Sequence, residues 1–298
     1  MVLRTNKRRN KKHTKTKRSR RNLIVRRKLM KGMRGGQDPN TFHFFNNFHY
    51  GDNILNLKFL FNISPLLKKR GIKIKYYYDK NYNKNGEELE RFVDKDTVTL
   101  YSLQEKPGNA VDLWMGAPID GKNIFQIEME LYYNKFYQNI VNILGLQDEK
   151  INTSLYQEEP YLQDIYKNLD DKYKDLDILV INATPHSNQY SYNKENFDNM
   201  CIMLNKKYKI ATTSPVNDAI TCTMTGKLML KDIGAVSTHA KYIVGVHSGP
   251  VTACFNSDTN NHLKRWVLFA SNNVRHANPK FTILDDKYDL KNIEEHLK

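Results

Sequence analysis

Cysteine is scarce in this sequence and its three copies lie far apart, which excludes several kinds of protein. Cys201, Cys222 and Cys254 match neither the spacing of a zinc site nor a disulfide framework. We therefore expect buried free thiols in a reducing compartment, the cytoplasm or the nucleus. The 298-residue chain has no run of 18 apolar residues, and no apolar stretch follows its basic start. Neither a transmembrane span nor a secretory signal is predicted.

The motifs of several common enzyme classes are also missing. The chain has no Gly-rich Walker loop, no Gly-x-Gly-x-x-Gly and no Gly-x-Ser-x-Gly. Nucleotide hydrolysis by a P-loop, dinucleotide redox chemistry and hydrolase chemistry on a nucleophile elbow therefore lack support from any motif.

Acidic residues are absent from residues 1–36, which hold 16 of the 47 lysines and arginines. The other 31 basic residues nearly balance the 32 acidic ones, so the net charge of +15 belongs to this tail. Such a like-charged segment is expected to be disordered. It is typical of a nuclear-localisation signal, of a patch for nucleic acid or an anionic membrane, or of a solvated tail without a partner. Charge alone does not separate these.

Apolar residues in the rest of the chain alternate between the period of a strand and that of a helix. Strand patterns lie at 41–48, 72–79, 96–103, 110–116, 176–184, 209–214, 242–248, 265–271 and 281–285. Helical patterns lie at 53–71, 123–145, 161–175, 194–208, 227–240 and 290–298. Alternating strands and helices predict parallel sheets. Because the series occurs twice, we expect an α/β protein of two doubly wound Rossmann-like domains, 37–150 and 151–298, facing a cleft.

Ser248, Gly249 and Pro250 directly follow a buried strand and precede a helical pattern in the segment "VGVHSGPVTACFN". A tight turn here presents backbone N–H groups at the start of a helix, which suits a phosphate. The alternative is that Gly249 and Pro250 only end one element and begin the next.

Two segments, in the right order, resemble the heptosyltransferases of glycosyltransferase family 9. "FHYGDNILNLKFL" (48–60) is similar to the family's opening strand, Gly-Asp turn and apolar helix. "LKDIGAVSTHAKYIVGVHSGPVTACFN" (230–256) is similar to its donor-site signature. The resemblance covers the layout of residues 41–270 and specific residues in these two segments. It implies the GT-B fold of two Rossmann domains, with the acceptor bound by the first and the sugar nucleotide by the second.

Asp52 occupies the position that this resemblance assigns to a general base. A carboxylate there would take the proton from an acceptor hydroxyl as it attacks an anomeric carbon. The alternative is that Asp52 caps a helix starting at Asn53, and the two roles are compatible. His49 lies in the same turn and is the next candidate for the base.

The resemblance places five residues on the family's donor turn: His247, Ser248, Gly249, Pro250 and Thr252. The family usually has Asp where this chain has His247, and His where it has Thr252. These departures leave phosphate binding by backbone N–H groups intact. His247, cationic or neutral, would lie beside the diphosphate, or it would hydrogen-bond within the turn.

Two further loops would complete the donor site. In "NATPHSNQYS" (182–191) the family commonly has a basic residue, and the matching position falls near Tyr190, which is not basic. The candidates in and beside this loop are Thr184, His186, Ser187, Gln189 and the less favoured Lys194. In the second loop, "TTSPVND" (212–218), the family often holds the nucleoside, and the candidates are Ser214, Asn217 and Asp218. Each is also compatible with an ordinary loop role.

Asp94 and Asp96 form a D-x-D, the metal motif of the other glycosyltransferase fold, but they precede a strand. We interpret them as a surface turn and expect no metal and no cofactor.

The sequence favours a metal-independent glycosyltransferase that moves a sugar from a nucleotide-diphospho-sugar to a hydroxyl acceptor. The alternative is a nucleic-acid or virion-associated binding protein that uses a degenerate transferase fold as scaffold and the basic tail as binding element. The near-neutral charge after residue 36 argues against a nucleic-acid face on the fold itself.

Overall fold

The structure, a computed structural model, describes residues 40–48, 50–81, 86–114, 116–185, 190–271 and 274–298. The basic tail and the prediction of disorder over residues 1–36 lie outside these ranges. No helix within them is long and apolar enough to cross a membrane.

The first half of the chain forms a four-stranded parallel sheet in the order β3-β2-β1-β4. Its strands are β1 (Thr41–Asn46), β2 (Lys73–Tyr78), β3 (Val98–Ser102) and β4 (Val111–Asp112). Its helices are α1 (Tyr50–Asn62), α2 (Ser64–Lys69), α3 (Gly86–Glu90) and α4 (Met129–Leu144), with a 3₁₀ turn at Leu103–Glu105. Gly145 ends α4 in the left-handed conformation at φ 71°, as its sequence position predicts.

Helix α1 differs at both ends from the single helix predicted over 53–71. It begins three residues earlier, at Tyr50, and ends at Asn62. Pro65 lies in the first turn of α2 and has no N–H to donate to the carbonyl of Phe61, which favours a break between the two helices.

The second half forms a six-stranded parallel sheet in the order β10-β9-β8-β5-β6-β7. Its strands are β5 (Ile178–Ile181), β6 (Ile210–Thr212), β7 (Thr221–Cys222), β8 (Tyr242–Val246), β9 (Arg265–Phe269) and β10 (Phe281–Leu284). Its helices are α5 (Tyr161–Lys167), α6 (Lys194–Asn205), α7 (Leu230–Ser237), α8 (Gly249–Ala253) and α9 (Ser257–His262). The segments Asp171–Tyr173 and Leu290–His296 are 3₁₀ helices, so the helix predicted at 290–298 is present in 3₁₀ form and ends at His296.

The strand orders confirm the predicted fold class. Counted within its own half, the second sheet has the Rossmann order 3-2-1-4-5-6, and the first has its truncated form 3-2-1-4. The order reverses between β5 and β8 in one sheet and between β1 and β4 in the other. Ligands of such sheets bind beyond the carboxyl ends of the strands at this reversal. The turn after β1 and the turn after β8 both lie there.

One apolar core contains side chains from both halves, including Phe59 of α1, Tyr137 of α4 and Trp266 of β9. Strand β8 is buried along its whole length, as its continuous apolar run predicts. Its neighbour β5 lies so close that a Cβ on Gly245 would be 2.4 Å from the Ile181 carbonyl oxygen. Only glycine fits there. The domain boundary expected at residue 150 stays a prediction.

Candidate active site

The two turns singled out in the sequence are in contact, although nearly 200 residues separate them. A Cβ built on Gly51 would lie 3.2 Å from both Gly249 Cα and Thr252 Cγ2. A Cβ built on Gly249 would lie 3.5 Å from the Gly51 nitrogen. The amino-terminal ends of α1 and α8 therefore touch at two glycines. Asp52 follows Gly51 along α1, so it is one residue away from this contact.

Asp52 lies inside the first turn of α1, which begins at Tyr50. The alternative that Asp52 caps a helix starting at Asn53 is therefore wrong, because a cap residue precedes the first helical position. His49, the other candidate base, lies outside the described residues.

The carboxyl of Asp52 has an unusual environment. It is partly buried, and burial raises its pKa to about 7. No Lys, Arg or His of the described ranges forms an ion pair with it. Burial, and to a smaller degree the nearby charge of Asp52, raises the pKa of Tyr76 and Tyr132. A carboxyl with a pKa of about 7 exchanges a proton readily at neutral pH, which suits a general base.

The 248–250 turn contains a buried hydroxyl without a partner. Ser248 is 8% exposed, and its Oγ has no hydrogen bond among the described residues. The hydroxyl of Thr252, in contrast, donates to the Gly249 carbonyl at 2.5 Å. Helix α8 has only five residues, so its dipole is too small to carry the phosphate argument made from the sequence. The unpartnered Ser248 hydroxyl and the raised pKa of Asp52, which follows Gly51 in the contacting turn, are the features that point to a ligand here.

The surroundings of the His247 ring favour its neutral form. Its ring packs inward, with its centroid 5.6 Å from that of His276 and 6.2 Å from that of Phe255. Burial, and then the neighbouring His276, lowers the pKa of His247 to about 3, so the ring is neutral. Its Nε2 is buried without a hydrogen bond to any described residue. The cationic form is therefore disfavoured, whereas a neutral His247 beside the diphosphate or hydrogen-bonded within the turn stays a prediction.

The loops after β5 and β6 are joined by a buried residue that the sequence reasoning missed. Asn182 Oδ1 accepts from the Ser214 N–H at 2.7 Å, and its Nδ2 donates to the Ser214 carbonyl at 3.1 Å. Ser214 is thereby held at the carboxyl edge of the sheet. The signal was available, since Asn182 is a polar residue directly after the buried strand β5.

The remaining donor-loop candidates lie apart from this link. Thr184 is exposed, and Asn217 accepts the N–H of Ala219 at 3.0 Å in an exposed turn beside Asp218. His186, Ser187 and Gln189 lie outside the described residues. Tyr190 packs in the core against Phe197 and Phe269. Lys194 forms an ion pair with Asp198 at 2.5 Å.

Lys58 is a second residue that the sequence reasoning missed. It is 1% exposed, in the middle of the apolar helix α1. Its Nζ donates to the carbonyls of Thr252, Ala253 and Phe255 and lies 2.5 Å from Glu159 Oε1. A lysine inside the run "NILNLKFLF" was the available signal, because a buried cation needs partners.

Asp94 and Asp96 both pair with Lys68, each at 2.9 Å. The Asp94 carboxylate also accepts the N–H of Asp96, as in an Asx turn. Within the described part of the chain, no three His, Cys, Asp or Glu side chains come together as metal ligands.

No family model and no curated protein matches the sequence. Among solved structures, the fold is similar to that of E. coli heptosyltransferase WaaC with ADP, at a TM-score of 0.51 and 10% identity. That match covers 85% of this chain and 98% of the other. WaaC with ADP-2-deoxy-2-fluoro heptose matches at a TM-score of 0.50 and 10% identity, over 82% and 93% of the two chains. At this identity the likeness establishes a shared fold.

Proposed function

We propose that this chain is a glycosyltransferase that moves a sugar from a nucleotide-diphospho-sugar to a hydroxyl acceptor. The observation that carries the proposal is the contact between Gly51 and Gly249, which brings together the 248–250 turn and the turn that precedes Asp52, a residue whose carboxyl has a pKa of about 7. The structures of WaaC with ADP and with ADP-2-deoxy-2-fluoro heptose support it by analogy of fold.

In the proposed reaction, Asp52 takes the proton of the acceptor hydroxyl as its oxygen bonds to the anomeric carbon. The bond between that carbon and the diphosphate oxygen breaks, and the nucleoside diphosphate leaves with the electron pair. The Ser248 hydroxyl and the backbone N–H groups of the turn donate to the diphosphate. Asp52 is a group of the first half and the turn belongs to the second, so acceptor and donor approach from the two sheets.

We propose that the nucleoside lies over the linked loops after β5 and β6, near Ser214. Asn182 holds that loop edge through two hydrogen bonds, so the edge is already ordered before a ligand arrives. The transfer is further proposed to need no metal ion, which is tested by running the reaction with and without EDTA.

Binding of nucleoside diphosphates is the first test. ADP, GDP, UDP and CDP are titrated into the full chain, and the change in melting temperature is measured with and without EDTA. We expect one of them to stabilise the protein in both conditions. Stabilisation by none of the four would contradict the proposal.

Gly249→Val tests where the diphosphate binds. A Cβ fits at ordinary contact distance, 3.5 Å from the Gly51 nitrogen, but the branches of valine would enter the space between the turns. We expect the variant to lose nucleoside-diphosphate binding. Gly108→Val is the matched control, because a Cβ on Gly108 meets nothing within 4 Å. Unchanged affinity in Gly249→Val would locate the diphosphate elsewhere.

The alternative prediction, binding of nucleic acid or a virion component through the basic tail, concerns residues outside the described ranges. Nothing in the described part of the chain supports it.

A further inference from the structure

Lys58 joins three segments that lie far apart in the chain. It belongs to α1, its Nζ donates to carbonyls at the end of α8, and it pairs with Glu159 in the segment between α4 and α5. Lys58 and Glu159 are 1% and 3% exposed. Burying both charges is unfavourable unless the partners are well placed, so this arrangement requires a close fit of all three segments.

The hydrogen bonds of Lys58 complete the end of a helix that is too short to be stable alone. Helix α8 has five residues, and the last carbonyls of any helix lack partners within it. Lys58 Nζ reaches Thr252 O and Ala253 O at 3.3 Å and Phe255 O at 2.9 Å. Lys58 of α1 thus adds hydrogen bonds from the other half of the molecule to those that the N–H groups of Cys254 and Phe255 make at the end of α8.

The same two helices are also in contact at their opposite ends. Gly51 meets Gly249 at the amino-terminal ends, and Lys58 meets the carbonyls of α8 at its carboxyl-terminal end. Two separated points of contact fix both the distance and the direction between the helices. Helix α1 carries Asp52, and α8 begins at the turn that contains Ser248.

We infer that Lys58 is a positioning residue that holds the 248–250 turn at its distance from Asp52. The inference rests on the proposed function, since it concerns the proposed base and the proposed donor turn. A misplacement of about 1 Å can lower the rate of an enzyme about 100-fold, so a loss of this contact acts mainly on turnover.

The test uses the double variant Lys58→Met/Glu159→Gln in the full chain, which removes both buried charges together and keeps the side-chain volumes. Lys280→Met is the matched control. Its Nζ likewise donates to carbonyls near the end of a short helix, Asn260 O at 2.7 Å and Asn261 O at 3.0 Å, and neither acceptor belongs to α1 or α8.

A first readout is independent of any ligand. Cys254 directly follows α8 and is fully buried, and burial raises the pKa of its thiol to about 12. Cys201 in α6 is buried with the same pKa and is an internal reference. We expect iodoacetamide to label Cys254 at least about tenfold faster in the double variant than in wild type, with Cys201 unchanged, as measured by peptide mass spectrometry. Equal protection of Cys254 in both proteins would overturn the inference.

A second readout separates positioning from stability. Release of nucleoside diphosphate from the donor that the wild type uses gives kcat and KM. We expect kcat to fall about 100-fold with a smaller change in KM, and the Lys280→Met control to keep both. Unchanged kcat in the double variant would overturn the positioning role while leaving the proposed function intact. A wild-type chain that binds no nucleoside diphosphate would instead refute the proposed function, and with it the positioning role.

Discussion

Replacing Asp52 by Asn should make the protein more stable at neutral pH and nearly inactive. The pKa of this carboxyl is raised from 3.8 to about 7 by burial, so the folded state favours the protonated form. The preference of the folded state for the protonated carboxyl contributes to the free energy of unfolding. This contribution is fully present below pH 3.8 and is lost as the pH rises through about 7. The difference between the two pKa values corresponds to a change of at most about 4 kcal/mol in the free energy of unfolding. The change is smaller than this because part of the carboxyl faces solvent.

The Asn variant keeps the shape of the side chain and carries no charge at any pH. At pH 8 it should therefore unfold at higher urea concentration than wild type, while at pH 4 the two should be nearly equal. The Asn variant also loses a negative charge that interacts favourably with the amino-terminal end of α1, which lowers its free energy of unfolding by about 0.3–1 kcal/mol. Glu195→Gln, an exposed acidic residue in the first turn of α6, measures that smaller effect alone.

The rate should change in the opposite sense to the stability. Removing a positioned general base lowers kcat by roughly 10²–10⁴-fold, and the wild-type rate should rise with pH through about 7 as Asp52 loses its proton. Release of nucleoside diphosphate, followed from pH 5 to 9, measures both effects. An Asn variant with wild-type turnover, or with the wild-type dependence on pH, would refute the assignment of Asp52 as the base.

Three further predictions concern other parts of the chain. Ser248→Ala should leave the melting temperature equal or slightly higher, because it removes a buried unpartnered hydroxyl, and should weaken nucleoside-diphosphate binding about tenfold. Ser237→Ala removes a hydroxyl that donates to the Gly234 carbonyl, so this control should lower the melting temperature and leave nucleoside-diphosphate binding unchanged. A lower melting temperature in Ser248→Ala would show that the Ser248 hydroxyl has a partner. Gly245→Ala should lower stability by roughly 1–3 kcal/mol in urea unfolding, because its Cβ would meet the Ile181 carbonyl, whereas Gly108→Ala should be neutral. Deleting residues 1–36 should leave the melting temperature and activity unchanged and remove salt-dependent binding to DNA, and a large drop in melting temperature would contradict this.

The alternation of strands and helices was predictable because the period of apolar residues is a local property. The apolar runs before Ser248 and around Ile178 lie where the structure has β8 and β5. Helix ends were less predictable. Pro65 is the local signal for the break after α1, whereas the start at Tyr50 depends on a turn without apolar periodicity.

The contacts of the site were beyond sequence reasoning because they join residues far apart in the chain. The orientation of His247 follows from its packing on Phe255 and His276, not from its position after a strand. The partners of Lys58 lie about 100 and 200 residues away. A charged residue in an apolar run predicts that a buried partner exists, but only the fold identifies it.

Proton uptake on ligand binding tests most directly whether Asp52 and the 248–250 turn form one site. At pH 7 a carboxyl with a pKa of about 7 is about half protonated, and a diphosphate bound beside it should raise that pKa further. Titration calorimetry of the nucleoside diphosphate that binds, repeated in buffers of different ionisation enthalpy, counts the protons exchanged. We predict that, on binding the ligand, the wild type takes up a fraction of a proton more than Asp52→Asn does. The Asn variant also controls for protons that the ligand itself gains or loses. Equal proton uptake by the two proteins would contradict the proximity of base and donor on which the proposed function depends.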